Sequence, residues 1–258
     1  MPIRVGVQIQ PQQASYEAMR QAWVEVDRSG ADTLFNWDHF FPLYGDRDGP
    51  HFECFTTLAA MAEATTRVEI GALVVCNAYR NANLVADMTR TIDHISGGRV
   101  ILGIGGGWFE RDFDEYGYEF GTFGTRLRDL DASMPVIRER LARLNPPPLR
   151  RMPILIGGEG EKVTLRITAQ HADIWNGYAD VPTARHKNEV LDGWCEKVGR
   201  DPAEIERSLG GIDRGDLDHL DDYVDAGITH FIMEAGGPDY DLSLLPDLLA
   251  WRDRRNGG

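Results

Sequence analysis

Two runs of apolar, largely β-branched residues between Val68 and Asp112 constrain the fold of this chain more than any other feature. The first run is Val68–Cys76, the second is Arg99–Ile104, and one helix-like segment joins them. Continuous apolar strands are typical of a parallel sheet that is covered on both faces. In such sheets, the residues just past the carboxyl ends of the strands form the functional site. The sequence therefore predicts where the chemistry lies before it predicts which chemistry.

The rest of the chain alternates in the same way, with each strand pattern followed by a helix pattern. The eight predicted strands are Ile3–Gln10, Asp32–Trp37, Val68–Cys76, Val100–Ile104, Pro153–Ile156, Asp173–Trp175, Ile205–Ile212 and Thr229–Met233. Eight helices alternate with them, and the fourth shows the clearest spacing of apolar residues by three and four, from Leu127 to Leu144.

This alternation predicts an α/β fold, a single (β/α)₈ TIM barrel that occupies residues 1–258 as one domain. About 250 residues is the usual length of such a barrel, and the chain has 258. A doubly wound sheet is the alternative, but the glycine fingerprint that opens its first crossover does not follow the first predicted strand.

Composition limits the kinds of partner. The formal net charge of −14 argues against nucleic acid, because phosphate backbones are bound by clustered lysine and arginine. Three cysteines without metal-ligand spacing indicate a reduced, cytoplasmic protein. The amino terminus has no signal-peptide pattern and no apolar run is long enough to cross a membrane. We expect a cytoplasmic protein that acts on a small molecule.

Asp38 and His39 follow the second predicted strand and are candidates for catalysis. The plain interpretation is a polar pair that ends a strand, with Asp38 forming a local turn. The flanking Trp37, Phe40 and Phe41 favour a functional role, because aromatic side chains form the walls of most ligand pockets. A histidine at this position can exchange a proton near neutral pH.

Glycine-rich segments follow the fourth and fifth predicted strands. Gly105, Gly106, Gly107 and Trp108 form either a tight turn or a surface that a flat ligand can approach closely. Gly157, Gly158, Glu159 and Gly160 precede a helix, whose amino-terminal amides suit a phosphate, although an ordinary turn explains them too. Asn176 and Gly177 end the sixth predicted strand beside this loop and are expected to complete a phosphate pocket.

Other candidate chemistries lack support in the sequence. The remaining histidines have no partner at metal-ligand spacing, so we predict no metal site. Asp112 and Asp114 are interpreted as part of a solvated helix face rather than as a general acid–base pair.

Together these residues carry a resemblance that covers nearly the whole chain. Trp37-Asp38-His39 is followed in order by IGALVVCNAYRN, GRVILGIGGGWFERDFDEYGYEFGTF, PILIGGEGEKVTLR and HADIWN. This order resembles the bacterial luciferase-like flavin and deazaflavin oxidoreductases, above all the branch that uses coenzyme F420. The resemblance implies an F420-dependent oxidoreductase that transfers a hydride between the deazaflavin and a small organic substrate. An FMN-dependent monooxygenase and a non-catalytic flavin-binding or deazaflavin-binding barrel are the alternatives.

The resemblance also implies roles for particular residues. It implies a non-prolyl cis peptide at Leu73–Val74 or one peptide later. It places Asp38 and His39 near the deazaflavin ring, Val74, Cys76 and Asn77 in a bulge behind it, Gly105–Trp108 along it, and Gly157, Gly158 and Gly160 at the phosphate. Several relatives carry a glutamate proton donor where this chain has Trp108, which leaves His39 as the candidate for proton transfer, with Asp38 beside it.

Subunit association is expected as well, because relatives with this resemblance pair through barrel helices. We predict a homodimer in which exposed aromatic residues are covered by the partner. The candidates are Trp194, Trp251, Phe113 and Tyr116.

Overall fold

Eight strand positions form a closed parallel ring in the computed structural model, which describes residues 1–257. The strands are β1 Arg4–Ile9, β2 Thr33–Asn36, β3 Glu69–Ala72, β4 Val75–Cys76, β5 Val100–Gly105, β6 Ile154–Gly157, β7 Ile174–Gly177, β8 Glu206–Ile212 and β9 His230–Ala235. β3 and β4 share one position, since both pair with β5, and β9 pairs with β1 to close the ring. The predicted TIM barrel is confirmed.

Helices connect successive strands around the outside of the ring. They are α1 Tyr16–Ser29, α2 Cys54–Ala64, α3 Ala82–Ser96, α4 Glu110–Tyr116, α5 Phe123–Arg143, α6 Thr164–His171, α7 Val181–Val198, α8 Leu220–Asp225 and α9 Leu245–Arg255. The prediction of eight helices missed α4, because seven residues are too few to show a periodic apolar pattern. The helix predicted to begin at Leu217 instead starts as a 3₁₀ turn, Arg214–His219, before α8.

Local signals explain where most elements start and stop. Ser15 caps α1 by accepting a hydrogen bond from the amide of Ala18, and Gly30 ends it at a φ of 98°. The predicted strand Val68–Cys76 is interrupted in the middle, between β3 and β4. The Leu73–Val74 peptide at this interruption is cis, which confirms the position that the family resemblance implied.

The barrel interior is filled in two layers. The upper layer is apolar and consists of Phe35, Leu73, Ile101, Leu155, Ile174 and Ile232. The lower layer is ionic: Arg4 pairs with Glu206 at 3.0 Å and also with Glu69, and His230 lies 2.8 Å from Glu206. These layers close the amino-terminal end of the barrel, so a ligand has room only at the carboxyl end.

The basis for the predicted homodimer is partly wrong. Phe113 is fully buried within its own chain, and Trp251 is 8% exposed. Trp194 is partly buried and donates from its indole nitrogen to the carbonyl of Glu161. Only Tyr116 among the four candidates is exposed, so the other three do not supply the expected aromatic surface, and the homodimer itself stays a prediction.

We predict that the ionic layer stabilises the barrel in a pH-dependent way. Burial alone would raise the pKa of Glu206, but His230 and Arg4 together lower it from 4.5 to about 2. The carboxylate therefore contributes stability that is fully present above pH 4.5 and is lost as the pH falls through 2. Glu206→Gln should lower the free energy of unfolding at pH 7 by about 3 kcal/mol, since it removes the carboxylate that Arg4 and His230 share.

Urea unfolding at pH 7 and at several values down to pH 2 measures this. The variant should lose less stability than the wild type between pH 4.5 and 2, and Glu196→Gln on the exposed face of α7 serves as the control. Equal acid sensitivity of wild type and Glu206→Gln would contradict the assignment.

Candidate active site

A cavity of about 590 Å³ opens at the carboxyl ends of the barrel strands. This is the end that the apolar and ionic layers leave open, and it is where (β/α)₈ barrels place their sites. The predicted site residues on its wall are Asp38, His39, Val74, Cys76, Gly105, Gly106, Gly107, Trp108, Gly157, Gly158, Glu159, Asn176 and Gly177. Asn77, buried in a 3₁₀ turn after β4, and Gly160, in the loop before α6, lie off this wall.

One side of the cavity is flat because its positions cannot accept side chains. A Cβ atom at Gly105 would lie 2.9 Å from Val74, and one at Gly157 would lie 3.0 Å from the same side chain. Gly107 has a φ of +78°, a conformation that L side chains rarely adopt. We refer to Gly105, Gly107 and Gly157 as the glycine wall. A planar ring system can approach the backbone along this wall.

Asp38 is held by the chain and does not contact His39 through a hydrogen bond. Its carboxylate accepts from Arg80 at 2.6 and 3.0 Å and from the amide of Cys76 at 3.0 Å. Burial raises the pKa of Asp38, while the hydrogen bonds from Arg80 oppose that effect. Asp38 lies on the cavity wall beside His39, as predicted for the two residues, and its carboxylate anchors the end of the second strand to β4.

The carboxylate partner of His39 is Asp112. His39 Nδ1 lies 2.7 Å from Asp112 Oδ2, and this oxygen also accepts from the hydroxyl of Tyr79 at 3.0 Å. Asp112 Oδ1 accepts the backbone amides of Phe40 and Phe41 at 3.0 and 3.2 Å. Because a carboxylate only accepts, the proton lies on Nδ1, and Nε2 is the ring nitrogen available to the cavity.

The interpretation of Asp112 as part of a solvated face is therefore wrong. Its side chain is completely buried, and four donors compensate its burial. Asp114, two residues later on α4, is exposed as expected. No local pattern distinguishes the two, because the burial of Asp112 depends on a loop 73 residues earlier in the chain.

Aromatic side chains surround His39 and the mouth of the cavity. The rings of Trp37 and Trp108 lie edge-on to the imidazole, with centroids 5.6 and 5.8 Å away. Trp108 is 63% exposed, so it lies at the mouth rather than beneath a bound ligand. Tyr44 and Tyr178 also line the cavity and are exposed.

The loop after β6 has the features of an anion site. Trp175 donates to the carbonyl of Gly158 at 2.9 Å, and Glu159 accepts the amide of Tyr178 at 2.8 Å, which holds the loop in place. Within residues 1–257, the amides of Glu159 and Gly160 donate to no other residue. Thr164, the first residue of α6, adds a hydroxyl on the cavity wall. This arrangement suits a phosphate.

The polar residues on the cavity wall that sequence reasoning missed include Gln8, Thr164, Tyr178 and Glu234. Strand alternation could have indicated Gln8, because Gly6, Gln8 and Gln10 share one face of the first strand region while Val5, Val7 and Ile9 share the other. Among the described residues, no cluster of His, Cys, Asp and Glu is suited to a metal ion. No helix within residues 1–257 is long and apolar enough to cross a membrane.

Comparison with known proteins identifies the family to which this chain belongs. Residues 1–212 match the family model of the luciferase-like monooxygenases, and the chain belongs to that family. It is 31% identical over 139 residues to an F420-dependent glucose-6-phosphate dehydrogenase from Amycolatopsis mediterranei, covering 53% of this chain and 41% of the relative. It is 29% identical over 238 residues to the pyrimidine monooxygenase RutA from Acinetobacter baylyi, covering 81% and 61%.

A solved structure shows the same fold over almost the entire length. An F420-dependent secondary alcohol dehydrogenase in complex with an F420–acetone adduct superimposes with a TM-score of 0.83 at 16% identity, covering 98% of each chain. The curated relatives are longer, since this chain spans about two fifths of the first and three fifths of the second. The chain thus belongs to a family of oxidoreductases and monooxygenases.

We predict that Asp112 acts through His39 as a positioning residue. Asp112→Asn presents an amide that can donate to Nδ1, which favours the opposite tautomer and removes the free Nε2 lone pair. We expect kcat to fall by at least about tenfold, with KM and cofactor affinity nearly unchanged.

Steady-state kinetics with a matched control tests this prediction. Asp114→Asn, on the exposed side of the same helix, should behave as the wild type. A loss of affinity equal to the loss of kcat in Asp112→Asn would show that the residue only supports the shape of the site.

Proposed function

We propose that this protein is a coenzyme F420-dependent oxidoreductase that transfers a hydride between the deazaflavin and a small organic substrate. The observation that carries the proposal is that the glycine wall and His39 line one cavity. A flat cofactor needs a surface such as the glycine wall. A hydride transfer to or from an oxygen-bearing carbon needs a group such as His39 that exchanges a proton. The names of the dehydrogenase relative and of the structural neighbour support the same assignment.

The residues present fit such a cofactor. The glycine wall would hold the ring, because added Cβ atoms at Gly105 and Gly157 would fill the space beside Val74. The loop amide of Glu159, with the Thr164 hydroxyl on the same cavity wall, would hold a phosphate. When bound, a deazaflavin supplies a hydride carrier that reacts poorly with oxygen.

The chain itself manages one proton. His39 Nε2 accepts a proton from an alcohol that is oxidised, or an imidazolium gives one to a carbonyl that is reduced. Asp112 keeps the ring oriented in both directions through Nδ1. Trp37 and Trp108 restrict water around the imidazole, which strengthens its interactions with a substrate.

An FMN-dependent monooxygenase is the second candidate, favoured by the match to RutA over 81% of this chain. The same glycine wall accepts either ring system, so cofactor binding distinguishes the two functions. A titration of the purified protein with F420 and with FMN, followed by a screen for substrate reduction and oxidation, is the direct test. Tight FMN binding with oxygen-dependent product would overturn the F420 proposal.

A third possibility is a barrel that binds the cofactor without catalysis. His39→Ala separates it from an enzyme, because a general acid or base contributes about a hundredfold or more to turnover. We therefore predict that His39→Ala lowers turnover by about a hundredfold or more. Its cofactor affinity should change little, since the proposed cofactor contacts lie on other loops. The exposed His219→Ala on the 3₁₀ turn before α8 is the control. Unchanged turnover in His39→Ala would exclude His39 as the proton donor or acceptor.

The phosphate position has its own test. Gly158 has a φ of +128°, so any side chain there strains the backbone. A loss of cofactor affinity in such a variant could therefore reflect the strained loop rather than the phosphate contact. Thr164→Val is nearly isosteric and removes only the hydroxyl on the cavity wall. It should weaken cofactor binding by roughly three- to tenfold, the value of one hydrogen bond. Thr183→Val, on α7 outside the cavity wall, should leave affinity unchanged.

We also propose that the protein is cytoplasmic and homodimeric, and that its partner in function is a small molecule. Light scattering at micromolar concentration measures the oligomeric state, and a monomer would contradict the dimer.

A further inference from the structure

The cavity wall formed by β1 and β9 carries polar groups that the proposed hydride transfer does not use. Gln8 on β1 and Glu234 on β9 are level with each other in the strand register, and both line the cavity. They stand apart from the glycine wall, which belongs to β5, β6 and the residues that follow β5. Glu234 therefore faces a part of the cavity across the ring from β5, while Gln8 reaches the carbonyl of Leu73, next to the Val74 residue that the glycine wall abuts.

The amide of Gln8 has a defined orientation. Its Nε2 donates to the carbonyl of Leu73 at 2.8 Å, and because a carbonyl only accepts, the nitrogen must face Leu73. The oxygen is thereby left as the free end. Gln8 is 1% exposed, and its Oε1 has no donor within residues 1–257. A buried acceptor without a donor is unfavourable, so this oxygen is suited to a donor from a ligand.

Glu234 adds a second acceptor at the same height. One of its oxygens accepts from Gln10 Nε2 at 3.3 Å, and the Tyr178 hydroxyl also hydrogen-bonds to the carboxyl group. A carboxylate has about four acceptor sites, so it can take a further donor. Burial raises the pKa of Glu234, and hydrogen bonds from Tyr178 and Gln10 oppose this effect. Tyr178 lines the cavity beside it, so an aromatic surface accompanies the carboxyl group.

The charges of the cavity wall exclude one kind of substrate. Among the described residues that line the cavity there is no lysine or arginine. Arg80 lies behind the wall and is occupied by Asp38 and Glu53. A phosphate or carboxylate on the substrate would meet Glu234 with no cation to compensate it. The free loop amides after β6 belong to a different side of the barrel.

We propose that Gln8 and Glu234 form a specificity pair that binds a hydrogen-bond donor of the substrate, a hydroxyl or an amine, and that rejects anionic substrates. This inference rests on the proposed function in that it concerns the substrate of the same site. It separates this chain from the sugar phosphate named for the dehydrogenase relative.

Ligand-observed NMR titrations with three matched probes test the pair. The probes are benzyl alcohol, benzyl methyl ether, which lacks the donor, and benzoate, which is anionic. Benzyl alcohol should bind about fivefold or more tightly than the ether, the value of about one hydrogen bond, and benzoate should bind weakest. Equal binding of alcohol and ether, tighter binding of benzoate, or no measurable binding of benzyl alcohol would overturn the inference.

Two nearly isosteric variants assign the preference to the pair. Gln8→Met and Glu234→Met should each reduce the preference for the alcohol to less than about twofold, while Gln21→Met on the exposed face of α1 should keep it. F420 affinity, measured on the same samples, should not change. A loss of F420 affinity with unchanged probe binding would assign the pair to the cofactor and overturn the inference.

The outcome is separable from that of the proposed function. If neither F420 nor FMN binds the wild type, the proposed function fails, and the probe preferences measured without cofactor still decide the inference. Circular dichroism confirms that each variant is folded. If Gln8→Met does not fold, the wild-type preferences and Glu234→Met decide the question.

Discussion

The buried carboxylate of Asp112 is the interaction on which the site depends. It joins the loop after β2, the turn after β4 and helix α4 through hydrogen bonds to Phe40, Phe41, His39 and Tyr79. An ionised carboxyl without these donors would be costly in this position. The same contacts that make its burial possible also hold the imidazole of His39 with one nitrogen toward the cavity. Asp112 therefore both stabilises this part of the fold and orients the His39 ring.

The barrel supplies the setting for this group. Its interior is closed at one end by apolar and ionic layers, and its glycine wall leaves a flat space at the other. Asp38, which lies on the cavity wall, and Arg80 behind it brace the neighbouring strand ends. The result is a cavity with the His39 imidazole, one flat side and one side with acceptors, and this arrangement supports the proposal of a hydride-transfer enzyme whose substrate carries a polar donor.

Much of this fold was predictable because strand and helix periodicity are local. The apolar run Val100–Ile104 and the glycines after it identify both a strand and a cavity wall without reference to distant residues. Asp112 was not predictable in this way, since an acidic residue in the first turn of a short helix is usually solvated, and only the distant loop buries it. Gln8 and Glu234 were missed because their proximity requires β9 to close the ring beside β1.

The protonation state of the His39 ring tests this account most directly. Nitrogen-15 NMR of the histidine side chains, with His39 assigned by its absence in His39→Ala, distinguishes the two neutral tautomers. The account predicts a proton on Nδ1 in the wild type and a shift toward Nε2 in Asp112→Asn. A proton on Nε2 in the wild type would contradict it, because Asp112 would then not control the nitrogen that faces the cavity.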